Sequence, residues 1–294
     1  MSRYLSTFNI LTVLATCWLF ILLLLFDPLD TLIDYGGFAL LGVVGALFAN
    51  STGAGGGVIF VPFFNHLNFD ANTTVATSFA IQCCGMTAGA IAWWVFYRGK
   101  QTDNKDWSEI SRALKLTIPF SILGIVFGQA VQYAGKGVAE AEQLHLLFGG
   151  FSILLSLGIF ASIPLLQQQT FSQVLSSFDR LFLPLIALVG GGVTAYLSIG
   201  VGELVAVFLI MRRFNVTFSI AVAVILSAFS VWSAILFHVA VTEAIYWPIV
   251  LFAGAGAIIG GTMAKYLVLY FSPRNLKIFF ATWVFLLGLG AMPY

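Results

Sequence analysis

Residues Gly45 to Phe64 read Gly-Ala-Leu-Phe-Ala-Asn-Ser-Thr-Gly-Ala-Gly-Gly-Gly-Val-Ile-Phe-Val-Pro-Phe-Phe, and this stretch decides the fold. Its five glycines and Pro62 interrupt an otherwise apolar run. In a helix interior, Gly costs about 1 kcal/mol and Pro about 3 kcal/mol relative to Ala, so the sequence predicts a broken helix. A helix broken at membrane depth is tolerated only where it is buried in protein or lines a cavity. The stretch is therefore the first candidate for a binding site.

The composition of the whole chain is that of a polytopic membrane protein. Of its 294 residues, 60% are hydrophobic and 9% charged, with a mean hydropathy of +1.00, whereas a soluble domain carries roughly 25% charge. The net charge of +1 gives no support to nucleic-acid binding. Cys17, Cys83 and Cys84 lie in apolar segments and imply no disulfide framework. Because no P-loop, metalloprotease or serine-hydrolase motif occurs, we expect no enzyme, cofactor or metal site.

Nine segments could enter the membrane, where a spanning helix needs about 20 mostly apolar residues. Seven are plain spans: Phe8–Phe26, Thr73–Phe96, Ala113–Tyr133, Leu144–Leu166, Thr217–Val239, Tyr246–Tyr270 and Leu276–Met292. The segments 36–67 and 179–213 are longer and Gly-interrupted, so each is either one broken span or a hairpin. The first span lacks a signal-peptide cleavage pattern and is predicted to be retained. An acidic outer loop follows it, with Asp27, Asp30 and Asp34.

The distribution of Lys and Arg favours the hairpins, because basic residues concentrate on the cytoplasmic side. With a cytoplasmic N-terminus and two hairpins, Lys136 alone among the 13 basic residues falls outside. Single crossings would divide the basic residues almost equally between the two sides. We therefore predict a plasma (inner) membrane protein with its N-terminus in the cytoplasm and its C-terminus outside. The count leaves open whether the hairpins stop halfway or cross fully.

An internal repeat relates the two long segments. Aligning Gly45 with Gly192 also brings Gly53 onto Gly200, and Gly124-x-x-x-Gly128 resembles Gly256-x-x-x-Gly260. The predicted fold is an all-α polytopic membrane protein with two inverted repeats, each a Gly-rich helical hairpin plus three transmembrane helices, and one extra N-terminal helix. The predicted units are residues 1–35 (N-terminal helix and outer loop), 36–166 (repeat 1), 167–178 (cytoplasmic linker) and 179–294 (repeat 2). The two Gly-x-x-x-Gly motifs are interpreted as helix-packing contacts.

The hairpin turns predict an anion site. A half-helix that begins at such a turn presents unpaired N–H groups and partial positive charge. No Lys or Arg is expected at the membrane centre, so these amides are the predicted source of positive potential. The candidate substrate-binding residues are Asn50, Ser51, Thr52, Gly53, Gly55, Gly56, Gly57, Thr77, Ser78, Gln82, Ser198, Gly200 and Gly202. The alternatives are that the glycines only permit close packing and that the hydroxyls bond to their own backbone.

Glu203 is the one acidic residue predicted to lie inside the membrane, at the second hairpin's turn. An ionisable group at that depth is costly and usually functional. Glu203 could accept a proton in coupled transport. It could also bind a helix N-terminus as a tethered anion that competes with the substrate and leaves when protonated. The alternative is a structural cap.

The hairpin motif resembles a known transporter family. The pattern Gly-x-x-Gly-x-x-x-x-Asn-Ser-Thr-Gly-Ala-Gly-Gly-Gly-Val-x-x-x-Pro from Gly42 to Pro62, followed by Ala76-Thr77-Ser78, is similar to that of the sulfite exporter TauE/SafE family, also called the toluene-sulfonate uptake permeases. The resemblance covers about residues 36 to 292. It implies export or uptake of sulfite, thiosulfate or sulfonates such as sulfoacetate. The second copy departs from the pattern, with Glu203 where a third glycine is usual and Leu209 at the position of Pro62.

These observations together predict a secondary transporter for a small anion, a sulfur oxyanion or organosulfonate, coupled to protons through Glu203. The alternatives are a passive anion channel and a non-transport membrane scaffold. The expected partners are the small anionic substrate and membrane lipid, without nucleic acid, and homo-oligomerisation is left open.

Overall fold

The computed structural model describes residue 18 and residues 28–135, 141–164 and 174–290. They form eleven α-helices and, within these ranges, no strand. The helices are α1 Pro28–Tyr35, α2 Phe38–Thr52, α3 Gly57–His66, α4 Ala71–Phe96, α5 Ile110–Tyr133, α6 Ala141–Ser162, α7 Ser177–Leu197, α8 Val201–Met211, α9 Val216–Phe237, α10 Trp247–Tyr270 and α11 Pro273–Gly290. Five helices of the described chain are long and apolar enough to cross a membrane. The predicted all-α polytopic membrane fold is confirmed.

Residues 28–35 form a helix where the sequence predicted part of an acidic outer loop. The predicted span Phe8–Phe26 lies outside the described residues except for Trp18, whose indole N–H donates to the Leu251 carbonyl at 2.9 Å. The predicted acidic outer loop is in part the helix α1, which bends by 48° into α2. Asp30 stands in the first turn of α1, where a carboxylate is favourable beside the unpaired N–H groups.

Both long segments fold into hairpins. Hairpin 1 consists of α2 and α3, and hairpin 2 consists of α7 and α8. In hairpin 2 the ion pair between Asp179 Oδ1 and Arg212 Nε, 2.5 Å long, joins the start of α7 to the end of α8. In hairpin 1 the rings of Phe38 and Phe63 stack edge to face, with centroids 6.0 Å apart. Each hairpin therefore returns to the side on which it began.

The hairpin turns lie at depth in the bundle. The returning helices α3 and α8 contain 10 and 11 residues, which corresponds to about 15–17 Å, or roughly half of a 30 Å hydrocarbon core. The outgoing helices α2 and α7 are longer, with 15 and 21 residues. The outgoing helices end in left-handed residues, Gly53 with φ +82° and Ser198 with φ +58°. These residues reverse the chain while both neighbouring helices stay buried.

The glycine motifs bring helices of opposite halves into backbone contact. Gly256 of α10 faces the carbonyl of Ala39 in α2, and Gly124 of α5 faces the carbonyl of Leu188 in α7. A Cβ atom at either glycine would overlap that carbonyl oxygen. The packing interpretation of these motifs is confirmed. The helix α5 thus packs on the outgoing helix α7 of hairpin 2, and α10 packs on the outgoing helix α2 of hairpin 1.

The second helix of each half ends in the same way. The α4 helix continues into a π-helix at Tyr97–Gln101, and α9 continues into one at His238–Thr242. Insertions of this kind are rare in helices.

Replacing Gly256 with Val should destabilise the protein by about 1–3 kcal/mol, the usual range for forced overpacking. The added Cβ meets the Ala39 carbonyl, which belongs to a helix backbone and cannot turn away. Thermal unfolding in detergent measures the change. Gly150→Val is the control, because nothing lies within 4 Å of a Cβ atom at Gly150. Equal stability of the two variants would contradict the packing role.

Candidate anion site at the hairpin tips

The two hairpin turns meet in the interior of the bundle. A Cβ atom added to Gly57 would lie 2.6 Å from the Ser198 carbonyl oxygen and 2.6 Å from Ile199 Cγ2. From the other side, Gly202 faces the Gly53 carbonyl oxygen. These approaches require glycine, since any side chain would separate the turns. We call residues 53–57 tip 1 and residues 198–202 tip 2.

Glu203 joins the two tips through its carboxylate. Its Oε1 accepts a hydrogen bond of 2.7 Å from the Gly55 amide of tip 1, and its Oε2 accepts one of 2.8 Å from the Gly200 amide of tip 2. The side chain is buried, with 2% of its surface exposed. The structure places Glu203 at the third position of α8 rather than in the turn itself. Its carboxylate lies at the N-termini of α3 and α8, where the helix dipoles favour negative charge.

Gln82 of α4 forms a second connection between the tips. Its Oε1 accepts from the Gly56 amide at 2.7 Å, while its Nε2 donates to Ser198 Oγ at 2.7 Å and to the Ser198 carbonyl at 3.1 Å. Ser78, one turn earlier, accepts from Gln82 Nε2 at 3.1 Å and from Ser198 Oγ at 3.0 Å. Backbone amides, a carboxamide and two hydroxyls therefore surround the point where the tips meet.

Ten of the fourteen predicted residues come together here. They are Gly53, Gly55, Gly56, Gly57, Ser78, Gln82, Ser198, Gly200, Gly202 and Glu203.

Four predicted residues lie aside from this contact. Ser51 and Thr52 belong to the last turn of α2 and donate to the Phe48 carbonyl at 3.1 and 2.8 Å, and Thr52 Oγ1 also accepts from the Ala54 amide at 3.2 Å. They do not occupy a helix N-terminus. Asn50 donates from Nδ2 to the carbonyl of Gly85 at 3.3 Å. Thr77 Oγ1 accepts from the Tyr246 amide at 3.0 Å, at the start of α10.

A small cavity of about 10 Å³ lies beside the Glu203 carboxylate and is lined by the hydroxyls of Thr194, Ser227 and Ser230. This volume holds about one water molecule. Ser227 Oγ is buried and has no hydrogen-bond partner among the described residues. The tips are thus closed on each other, with the carboxylate occupying the space that faces their amides.

Sequence reasoning missed two polar residues at the site. Thr194 Oγ1 accepts from the Val201 amide at 2.9 Å and donates to the Gly190 carbonyl at 2.7 Å, which fixes the start of α8. Lys277 of α11 is 5% exposed and shares a second cavity with Glu203. The sequence prediction placed Lys277 on the cytoplasmic side, through the distribution of basic residues, and did not connect it with the hairpin tips.

No group of three or more His, Cys, Asp or Glu residues that could hold a metal ion occurs in the part of the chain that the structure describes. The polar groups at the tips are chiefly N–H and O–H donors, whose chemistry suits an oxygen-bearing anion.

Replacing Gln82 with Leu should weaken anion binding and transport by about tenfold or more. The change leaves the Gly56 amide without an acceptor and the Ser198 carbonyl without a donor, and each unsatisfied buried group costs about 1–3 kcal/mol. Initial flux and binding affinity in liposomes measure the effect. Gln101→Leu, at the end of the π-helix that follows α4, is the control. A Gln82→Leu protein that behaves like this control would remove Gln82 from the site.

A model of the family described as Sulfite exporter TauE/SafE matches residues 38–291 of the chain. Searches of curated proteins and of solved structures find no match.

Proposed function

Because the chain belongs to the sulfite exporter TauE/SafE family, we propose that it is a secondary transporter whose hairpin tips bind a small sulfur oxyanion or an organosulfonate. The family is one of membrane transporters for sulfite and related sulfur anions. The more specific elements of the proposal are the tip site, the choice of substrate and the coupling to protons.

One observation carries the proposal: the tip amides already bind an oxyanion, the carboxylate of Glu203. Its oxygens lie 2.7 Å from the Gly55 nitrogen and 2.8 Å from the Gly200 nitrogen. A sulfite or sulfonate group also presents negatively charged oxygens and could accept the same hydrogen bonds. No side chain of the tip glycines would obstruct it.

Exchange between Glu203 and the substrate supplies a coupling mechanism. A carboxylate that takes up a proton loses its charge, and charge-assisted hydrogen bonds are roughly twice as strong as neutral ones. Protonated Glu203 would release the Gly55 and Gly200 amides, and the substrate would replace it there. When the substrate leaves, the deprotonated carboxylate would return. Each transported anion would then be linked to one proton on Glu203.

The closed tips favour a transporter over the alternative of a passive channel. The cavity at the tips is about 10 Å³, room for about one water molecule. An anion with three oxygens would pass only if the tips separate, which is the behaviour of a carrier that changes conformation.

The two ends of the bundle support the proposed orientation. The side-chain Nδ2 of Asn215 donates to Asp106 Oδ2 at 3.3 Å, which joins the base of hairpin 2 to the charged loop after α4. At the opposite end, the hydroxyls of Tyr35 and Tyr246 lie 2.5 Å apart. We propose that the end with Asp106 and Asn215 is cytoplasmic, because the loop after α4 and the base of hairpin 2 carry clustered Lys and Arg.

The test uses purified protein in liposomes and in detergent. Sulfite, thiosulfate and a short sulfonate should stabilise the protein against heat, and at least one should be transported faster under a pH gradient. Sulfate and short carboxylates provide the comparison. A clear preference for carboxylates would contradict the sulfur assignment. Flux that is the same with and without the pH gradient would favour a passive anion channel. The absence of flux for every anion tested would favour a non-transport membrane scaffold.

A further inference from the structure

A second cavity, of about 30 Å³, is also lined by Glu203. Its polar wall is formed by Glu203, Lys277, Ser51 and Thr52, and the remainder is apolar. Glu203 lines both this cavity and the one at the tips.

This cavity lies between the tips and the basic end of the bundle. It is lined by Ile210 at the end of α8 and by Val216 at the start of α9. These two residues flank the turn that carries Arg212 and Arg213. An anion that arrives from the basic end would meet this cavity before it reached the tips.

Lys277 is the basic group that lines this cavity. Its residue surface is 5% exposed, and the positions that follow it on α11, Ile278, Phe279 and Phe280, are apolar. Lys in a membrane segment is costly and is usually retained for a function. A buried ammonium group attracts anions strongly, because the surroundings screen its charge less than water does.

The helix α11, which carries Lys277, makes few contacts with hairpin 1. It packs mainly against α6, which also makes few contacts with hairpin 1. Elements with sparse contacts separate at low cost in free energy. A cavity that holds about two water molecules could therefore widen enough for an oxyanion.

We propose that Lys277 forms a second anion subsite, which binds the substrate on the basic side of Glu203 before it is passed to the tip amides. The inference rests on the proposed function, and it concerns the same sulfur oxyanion. In this arrangement the substrate binds the ammonium group of Lys277 within the cavity that Ser51 and Thr52 also line. Glu203 must give way before the anion moves on to Gly55 and Gly200.

The first experiment measures sulfite uptake into vesicles of the two opposite orientations for Lys277→Met and Lys277→Arg. For sulfite presented at the basic end, Lys277→Met should raise the half-saturating concentration about 10- to 100-fold, as expected for loss of a hydrogen bond to a charged group. The effect from the opposite end should be smaller. Lys277→Arg keeps the charge and should stay within about threefold of the unaltered protein.

The matched control is Lys265→Gln. Lys265 lies in α10, and its ammonium group stacks on the Tyr266 ring at 4.7 Å, outside the cavity. This change should leave sulfite affinity unaltered from either side. If Lys277→Met also leaves it unaltered, the subsite does not exist. If its affinity loss is equal from the two sides, Lys277 acts only as a structural counter-charge to Glu203.

A second pair of variants keeps the test decisive should Lys277→Met fail to fold. Thr52→Asp places a carboxylate in the same cavity, whereas Thr52→Asn has nearly the same shape without the charge. The Asp variant should bind sulfite at least about tenfold more weakly than the Asn variant at the basic end, because an added hydrogen-bonded charge there opposes the anion. Equal affinities would overturn the proposal.

The two proposals fail in different ways. If the unaltered protein shows no saturable uptake of sulfite, thiosulfate or a sulfonate, the proposed function is wrong. If uptake is saturable and unaffected by Lys277→Met and Thr52→Asp, only the second subsite is wrong.

Discussion

Glu203→Gln is expected to abolish accumulation of the substrate against its gradient, while exchange of substrate across the membrane continues. One pH unit corresponds to about 1.4 kcal/mol, or about tenfold accumulation for each coupled proton. The variant should lose this proton-driven accumulation completely, because glutamine has the shape of a protonated glutamate but cannot exchange the proton. Flux should also become independent of pH in the range where the unaltered protein responds.

The contacts of Glu203 explain why the variant should remain folded. A glutamine oxygen can still accept from the Gly55 amide, which lies 2.7 Å from the present Oε1. Its NH₂ group would face the Gly200 amide, so one hydrogen bond is lost, at a cost of about 1–3 kcal/mol. The neighbouring charged group in the cavity is Lys277, which the variant leaves in place.

The measurement is substrate uptake into liposomes with and without an imposed pH gradient. Glu243→Gln is the control, since Glu243 is exposed at the end of the π-helix after α9, far from the tips. This control should keep the full response to the gradient. A Glu203→Gln protein that still accumulates substrate would show that the coupling proton binds elsewhere.

The hairpins could be predicted from the sequence because two independent signals agree. The glycines at Gly53, Gly55, Gly56 and Gly57 break the helix locally, and the charge distribution tests the topology of the whole chain. The ion pair between the two ends of hairpin 2 and the ring contact between those of hairpin 1 confirm the result. The helix-packing motifs were predictable for the same reason, since small residues four positions apart share one face.

The detailed register of the tips was not predictable. Four residues separate α2 from α3, whereas three separate α7 from α8. An alignment of the two halves without a gap therefore cannot match the residues on both sides of the turns. The left-handed cap Gly53 corresponds in conformation to Ser198 rather than to Gly200. Glu203 consequently falls in the first turn of α8, where its side chain can reach both tips. Sequence alignment of the halves cannot detect a change of this size.

Lys277 was missed because position along a helix does not reveal which way a side chain points. At the start of an apolar helix, a lysine ordinarily extends towards the headgroups. Here the neighbouring helices enclose it, and it lines the cavity with Glu203. This burial depends on how α6 and α11 pack beside the hairpins, and that packing is a property of the assembled bundle.

Gly57→Ala is expected to reduce coupled transport about 5- to 150-fold. The new methyl group would lie 2.6 Å from the Ser198 carbonyl oxygen, and that oxygen belongs to the backbone of the opposite tip. The tips must move apart, at a cost of about 1–3 kcal/mol. A free-energy change of this size shifts the population of the closed contact by about 5- to 150-fold. The hydrogen bond from the Gly55 amide to the Glu203 carboxylate should lengthen as the tips move apart.

Gly150→Ala tests whether any loss arises from the tip contact rather than from the added methyl group. Gly150 lies within α6 and has open space around its Cα, so alanine there should be neutral or stabilising by up to about 1 kcal/mol. Initial uptake and thermal stability are compared for both variants at equal reconstituted amounts. A Gly57→Ala protein that transports at the rate of Gly150→Ala would mean that the tips need not close during transport. Glu203 could then no longer be a competitor that leaves and returns, because that exchange requires Gly55 and Gly200 to approach the same carboxylate.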